Sequence, residues 1–262
     1  MKKLMKKSYI ILILVLLIGI SLFNVAVGFF TGGGKEEVAI GNEQFDHIEI
    51  DTDNADINVF VTESRPYVEL LNKKKYDLNV EVEGNTLDIE VEHPWFNWMK
   101  FDFTFNTPKL NVYVPKEMYE SIDVKTKNGK IDVRNIAVNE LDAKTNNGKI
   151  MVKDVESSTI YTKSNNGEVK IENSTGKIIG ETSNGNIIIA KDKIDQPIDL
   201  ETSNGNITIL TQDEPENVKY QLKTHNGHVT IFGSENFDTV VGNGENIIRL
   251  ETSNGNINVE KQ

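Results

Sequence analysis

The heptapeptide ETSNGNI occurs three times word for word, at residues 181–187, 201–207 and 251–257. A chain that repeats its turn chemistry at a fixed interval folds as equivalent units, each of which buries its apolar flank against a neighbouring unit. Around every Asn-Gly pair runs a wider pattern, seen in IDVKTKNGKIDV (122–133), LDAKTNNGKIMV (141–152), IYTKSNNGEVKI (160–171) and IRLETSNGNINV (248–259). The turn residues are Asn128-Gly129, Asn147-Gly148, Asn166-Gly167, Asn184-Gly185, Asn204-Gly205, Asn226-Gly227 and Asn254-Gly255. Their glycines lie 19, 19, 18, 20, 22 and 28 residues apart, and IEIDTDNADINV (48–59) is a degenerate early copy with Ala55 in place of glycine.

Within each copy the apolar residues recur at every second position, as at Ile122, Val124, Ile131 and Val133, which is the period of a strand. Asn-Gly tolerates positive φ, so a sharp turn between two short strands is expected at each pair. A two-residue hairpin fits the parity, with Val124 facing Val133. The nearly constant spacing favours stacking instead, and a 19-residue rung at about 3.3 Å per residue gives a perimeter of roughly 63 Å, enough for three short sides. The expected fold is all-β: a single-stranded parallel β-helix, or β-solenoid, with rungs of about 18–22 residues. In such a stack the asparagines form an amide ladder, and Thr126, Thr145, Thr182, Thr202, Thr224 and Thr252 pair along the axis in the same way. The turn residues are then architecture, not a ligand surface.

Ahead of the repeats stands YIILILVLLIGISLFNVAVGFF, 22 uncharged residues from Tyr9 to Phe30, long enough to cross roughly 30 Å of hydrocarbon as a helix. Lys2, Lys3, Lys6 and Lys7 precede it, which by the positive-inside bias keeps the N-terminus cytoplasmic and exports the residues after the helix. Ala26 and Gly28 would serve a signal-peptide cleavage, but signal cores run about 7–15 residues, so the length favours an uncleaved anchor. The expected organisation is a basic tail (1–8), a transmembrane signal-anchor (9–30), a linker (31–39), a strand-rich N-terminal part that caps the stack (40–119), and the repeats (120–262). The insertion 232–246 is expected to cover the far end. Removing the four leading lysines from 28 basic residues leaves 24 against 40 acidic ones, a net −16 that excludes a nucleic-acid partner. The chain has no cysteine, so it forms neither disulfides nor a thiolate metal site.

The anchor, the KLNVYVP segment (109–115) and the train of TSNGxI turns resemble the bacterial putative-adhesin family of uncharacterised envelope proteins, the LiaG-like group. The resemblance spans about residues 40–260. It implies a membrane-associated, extracytoplasmic β-solenoid tied to adhesion or envelope-stress sensing, and it carries over no catalytic residue.

Chemistry sought independently yields little. His225 and His228 flank the Asn226-Gly227 turn without a third ligand, which reads as a solvated turn, and no calcium loop is present. Asp123, Asp132, Asp142, Glu181, Asp199, Glu201 and Glu251 alternate with Lys125, Lys144, Lys149 and Lys170, a mixed-charge face; read as paired carboxylates, they would be the site of a polysaccharide lyase or hydrolase, the alternative function. Trp95, Phe96 and Trp98, beside Pro94 in HPWFNWMKFDFTF (93–105), form the candidate partner-binding loop, whereas Phe101, Phe103 and Phe105 alternate as buried residues do. The sequence therefore predicts a non-catalytic envelope interaction protein without cofactor or metal. Its partners are the membrane, through the N-terminal helix, and either a membrane protein or a cell-wall or surface glycan.

Overall fold

The alternation written into each copy becomes two parallel ladders. The computed structural model describes residues 34–73, 76–92 and 107–262, and every regular element among them is a strand. Nine rungs each give one strand to either of two eleven-stranded sheets. In sequence order the rungs are β2 (His47–Thr52) with β3 (Asp56–Thr62), β6 (Thr86–Glu92) with β7 (Lys109–Pro115), β8 (Met118–Thr126) with β9 (Ile131–Arg134), and β10 (Ala137–Thr145) with β11 (Ile150–Lys153). They continue as β12 (Glu156–Ser164) with β13 (Val169–Glu172), β14 (Lys177–Thr182) with β15 (Ile187–Lys191), and β16 (Ile198–Asn204) with β17 (Ile207–Thr211). The last two are β18 (Val218–Asn226) with β19 (Val229–Ile231) and β21 (Asn246–Asn254) with β22 (Ile257–Lys261). Four strands lie outside this pairing: β1 (Lys35–Ala39), β4 (Tyr67–Leu71), β5 (Asp77–Glu83) and the two-residue β20 (Val240–Val241).

Each rung has two strand sides, not the three expected from its perimeter. In the β8–β9 rung a nine-residue strand, a four-residue turn, a four-residue strand and a two-residue corner make up the 19-residue period. Like residues stack on like: Ile122 pairs with Leu141, Val124 with Ala143, Thr126 with Thr145, and Ile131 with Ile150. Inward side chains of both sheets meet in one continuous core in which Ile48, Ile57, Leu87, Leu141, Ile150, Leu200 and Ile257 are fully buried. Removing each such side chain from water contributes about 1.5–3 kcal/mol.

Spatial order departs from sequence order at both ends. The β2–β3 rung lies between β6–β7 and β8–β9, and the final rung, β21–β22, is inserted between β16–β17 and β18–β19. Beyond β6–β7, antiparallel strands finish both sheets: β4 pairs with β7 and β1 with β4 on one, β5 with β6 on the other. At the opposite end the insertion 232–246 supplies β20, which pairs only with Val218 and Lys219, and Ser234, which bridges to Ile231.

Candidate interaction surfaces

The seven Asn-Gly turns line up along one corner of the stack. Asn128 Nδ2 donates to Asn54 Oδ1 at 2.6 Å, Asn147 to Asn128 at 2.7 Å, Asn166 to Asn147 at 2.8 Å, and Asn184 to Asn166 at 2.8 Å. Asn204 continues to Asn184 at 2.9 Å, Asn254 to Asn204 at 2.8 Å, and Asn226 to Asn254 at 2.8 Å. Thus Asn128, Asn147, Asn166, Asn184, Asn204 and Asn254 are held from both sides, while Asn226 ends the ladder.

Two expectations about these turns are corrected. The turn glycines do not have positive φ; left-handed residues sit instead at the opposite corner, where Asn135, Asp154 and Asn173 have φ of 54°, 53° and 45°. Glycine is required at the turns because the rungs approach too closely for a side chain. A Cβ on Gly129, Gly148, Gly167, Gly185, Gly205, Gly227 or Gly255 would come within 1.7–2.1 Å of a carbonyl oxygen on the adjacent rung. The threonines, apart from Thr52 and Thr126 at 3.0 Å, do not bond to one another. Each hydroxyl crosses to a turn carbonyl of the next rung: Thr145 to Gly129, Ser164 to Gly148, Thr182 to Gly167, Thr202 to Gly185, Thr252 to Gly205 and Thr224 to Gly255, at 2.9–3.1 Å. The turn donors and acceptors are consumed by the stack.

The outer face of the sheet built from β8, β10, β12, β14, β16, β18 and β21 carries the mixed charges. Lys125 pairs with Asp123, Lys144 with Asp142, Lys163 with Glu181 and Arg249 with Glu251, at 2.5–3.1 Å, all at solvent-accessible positions. Toward the β5 end the pairing stops. Glu49 and Asp51 on β2, Asp88, Glu90 and Glu92 on β6, and Asp77, Glu81 and Glu83 on β5 make an acidic face, with no salt-bridge partner among the described residues. The Asp88 charge beside it, then burial, raises the Glu90 carboxyl; burial raises Asp51, against the pull of Lys125 and Lys127.

The other sheet presents a different surface at the same end. Phe60 on β3, Tyr113 on β7 and Tyr67 on β4 stand opposite one another on three adjacent strands, outward beside the inward Val59, Val112, Val114 and Val68. Tyr67 and Tyr113 stack with centroids 4.3 Å apart and 13° between planes; Phe60 and Tyr113 are 5.4 Å apart. Ala39 on β1 lies cross-strand from Tyr67, so only a methyl group borders that ring on the outer side. Two residues along each strand runs a polar row. Lys35 pairs with Glu69 at 2.6 Å, Asn111 donates to Glu69 at 2.7 Å, and Asn58 donates to Asn111 at 2.8 Å. Burial raises the Glu69 carboxyl, but the hydrogen bonds from Lys35 and Asn111 outweigh it and hold it below its ordinary range. Aromatic rings beside fixed amides and a carboxylate can stack on an apolar face and orient hydroxyl groups.

Sequence reasoning missed this row because its rings are 7 and 46 residues apart in the sequence. The available signal was parity: each ring occupies an outward position between inward Val59 and Val61, Val68, or Val112 and Val114. Trp95, Phe96 and Trp98 lie outside the described residues, as do the apolar segment 9–30 and the phenylalanines at 101, 103 and 105. Among the described residues no helix is long and apolar enough to cross a membrane, and no cluster of His, Asp and Glu is placed to hold a metal. His228 is exposed and faces Glu235 at 3.4 Å, and His225 is exposed on β18.

Two overlapping family matches, to residues 45–180 and 163–260, take in almost all of this stack. The chain belongs to the Toastrack DUF4097 family. The match is to an uncharacterised family and does not single out LiaG-like members. No curated protein matches the Toastrack chain. Matches among solved structures include a "putative cell adhesion protein" from Clostridium sporogenes, 15% identical over 87% of this chain and 99% of that one, with a TM-score of 0.42. A "putative adhesin" from Bacteroides fragilis is 11% identical over 87% and 96%, with a TM-score of 0.48. A "putative lipid binding protein" from Parabacteroides distasonis is 15% identical over 88% and 98%, with a TM-score of 0.44. At these scores the names of the three proteins carry no argument about this one.

Proposed function

We propose that this Toastrack chain is a membrane-anchored, extracytoplasmic β-solenoid that acts as a non-catalytic interaction protein of the cell envelope. The observation that carries the reading is the outer row Phe60, Tyr113 and Tyr67 with its parallel row Asn58, Asn111 and Glu69. The turn ladder, by contrast, is spent on structure. Anchoring rests on the uncharged segment 9–30 and its leading lysines. Because only residues 31–34 separate the segment 9–30 from β1, and β1 edges the aromatic end, that end faces the membrane, and eight rung steps of about 4.8 Å put the β18–β19 rung roughly 40 Å farther out. The partner is a surface or cell-wall glycan, or a membrane protein that meets the same face.

The test is capture from solubilised envelopes with the detergent-purified full-length protein, side by side with Tyr67→Ala. Recovery of wall polymer by the parent and its loss with Tyr67→Ala supports adhesion; recovery of one defined membrane protein, lost in the same way, supports an accessory role in sensing. Equal recovery by both proteins overturns the assignment of the face, and depolymerisation of an acidic glycan with release of unsaturated products overturns the non-catalytic reading.

A further inference from the structure

Eight Asn-Gly pairs occur in the sequence, the seven turns and Asn243-Gly244 in the insertion. Asn-Gly is chemically fragile because glycine offers no side chain to shield its backbone nitrogen. That nitrogen gives up its proton and attacks the asparagine Cγ; a new bond forms between them, the bond from Cγ to Nδ2 breaks, and ammonia leaves. Water then opens the resulting succinimide at either carbonyl, giving aspartate or isoaspartate. Water is the one co-reactant, and no oxidation or reduction takes place.

Whether a pair can react depends on whether its Cγ can swing onto the next backbone nitrogen. For Asn128, Asn147, Asn166, Asn184, Asn204 and Asn254 that movement breaks at least two side-chain hydrogen bonds, including one to each neighbouring rung. It also disturbs a clamped turn, since the carbonyls of Gly129, Gly148, Gly167, Gly185, Gly205 and Gly255 each hold a threonine or serine hydroxyl from the next rung. Asn226 differs on both counts. Its Nδ2 donates to Asn254, but among the described residues nothing donates to its Oδ1, no hydroxyl reaches the Gly227 carbonyl, and no rung stacks beyond it. Asn243 is exposed in the loop between β20 and β21, where Gly244 has φ of +68°, and takes no part in the ladder.

We propose that Asn226 and Asn243 are the deamidation sites of the folded protein and that the rung-to-rung ladder protects the other six pairs. Conversion at Asn226 replaces the amide donor to Asn254 with a carboxylate facing the Asn254 carbonyl. The β18–β19 rung loosens from β21–β22 while the rest of the stack is unaffected. Each molecule thus gains negative charge at this end of the stack as it ages.

The full-length protein, in detergent at mildly alkaline pH, is incubated and mapped by peptide mass spectrometry with isoaspartate detection, next to the urea-unfolded protein. In the folded protein Asn226 and Asn243 are expected to convert at least about tenfold faster than the six ladder residues, the ratio given by a difference of about 1.4 kcal/mol in local opening. In urea the difference collapses to that set by flanking residues. Asn166→Ser, which removes the donor to Asn147 Oδ1, is expected to raise conversion at Asn147 and not at Asn128. Asn226 as slow as Asn184 in the folded protein overturns the proposal, and an unchanged Asn147 in the Asn166→Ser variant overturns the ladder as the cause of protection.

Discussion

A Cβ on Gly148 would lie 1.7 Å from the carbonyl oxygen of Gly129 on the neighbouring rung. The contact is backbone against backbone, so nothing flexible is there to move aside, and the two rungs must separate to admit even a methyl group. Gly148→Ala is expected to cost about 3 kcal/mol or more, as overpacking of a rigid contact does. Gly84→Ala provides the contrast: Gly84 has φ of +66° but open space around it, so only the left-handed backbone penalty of about 1–2 kcal/mol applies. Urea unfolding of the two variants measures the difference, and equal costs would contradict close approach as the cause.

The amide ladder predicts a pH-dependent substitution. Asn166→Ala removes the exposed ladder hydrogen bonds to Asn147 and from Asn184, with a longer one to the Asn146 carbonyl, and is expected to cost about 1 kcal/mol. Asn166→Asp keeps the acceptor for Asn184 but sets a carboxylate against the Asn147 carbonyl oxygen, so it costs more at neutral pH. Protonation restores a donor there, which raises the folded-state pKa of the new carboxyl. Its deficit relative to the parent should therefore shrink as the pH falls through that raised pKa, as thermal melts across acidic pH would reveal.

On the acidic face the charge of Asp88, followed by burial, raises the Glu90 carboxyl above its ordinary range. The folded state then binds this proton more readily than the unfolded state does. The resulting stability is fully present below the ordinary carboxylate range and is lost as pH rises through the raised pKa. Glu90→Gln should accordingly stabilise the protein at neutral pH, by no more than about 0.5 kcal/mol at so exposed a site, and the gain should shrink in salt. Melting temperatures at neutral and acidic pH, with and without salt, decide it; a Glu90→Gln variant less stable than the parent at neutral pH would refute repulsion on this face.

Because the last rung is inserted, its removal leaves a matched pair of faces. Tyr220, Leu222 and Thr224 of β18 pair with Ile248, Leu250 and Thr252 of β21, which pair in turn with Ile198, Leu200 and Thr202 of β16. A protein ending at residue 245 is expected to stay folded, with β18–β19 settled on β16–β17 and Asn226 bonded to Asn204. Hydrogen exchange should show protection retained in residues 198–211 and 220–231; loss of protection throughout the stack would contradict this.

The strand period, the solenoid and the structural role of the Asn-Gly turns are all legible in the sequence because they are local or repeat faithfully. The residues along one strand decide inward from outward, and the recurring (S/T)xNG pattern specifies a rung. The order of the rungs is not legible, since β16, β18 and β21 share the Leu, Thr and Asn of one register, so β21 fits between β16 and β18 as well as beyond β18. The aromatic row depends on that hidden order. Phe60 and Tyr113 meet only because β3 lies beside β7, and Tyr67 joins them only through the antiparallel strand β4. The glycine requirement was legible as a residue type but not as a cause, because the approach of Gly148 to Gly129 is a property of two rungs and not of either turn.

If the turns carry the architecture and the aromatic face carries the interaction, stability and binding must separate by residue. The most direct measurement is binding of the full-length protein to native envelopes, comparing Asn166→Ala and Tyr67→Ala with the parent at a temperature where all three are folded. Binding is predicted to be unchanged for Asn166→Ala, despite its lower stability, and lost for Tyr67→Ala. Loss with Asn166→Ala and retention with Tyr67→Ala would contradict that division of roles.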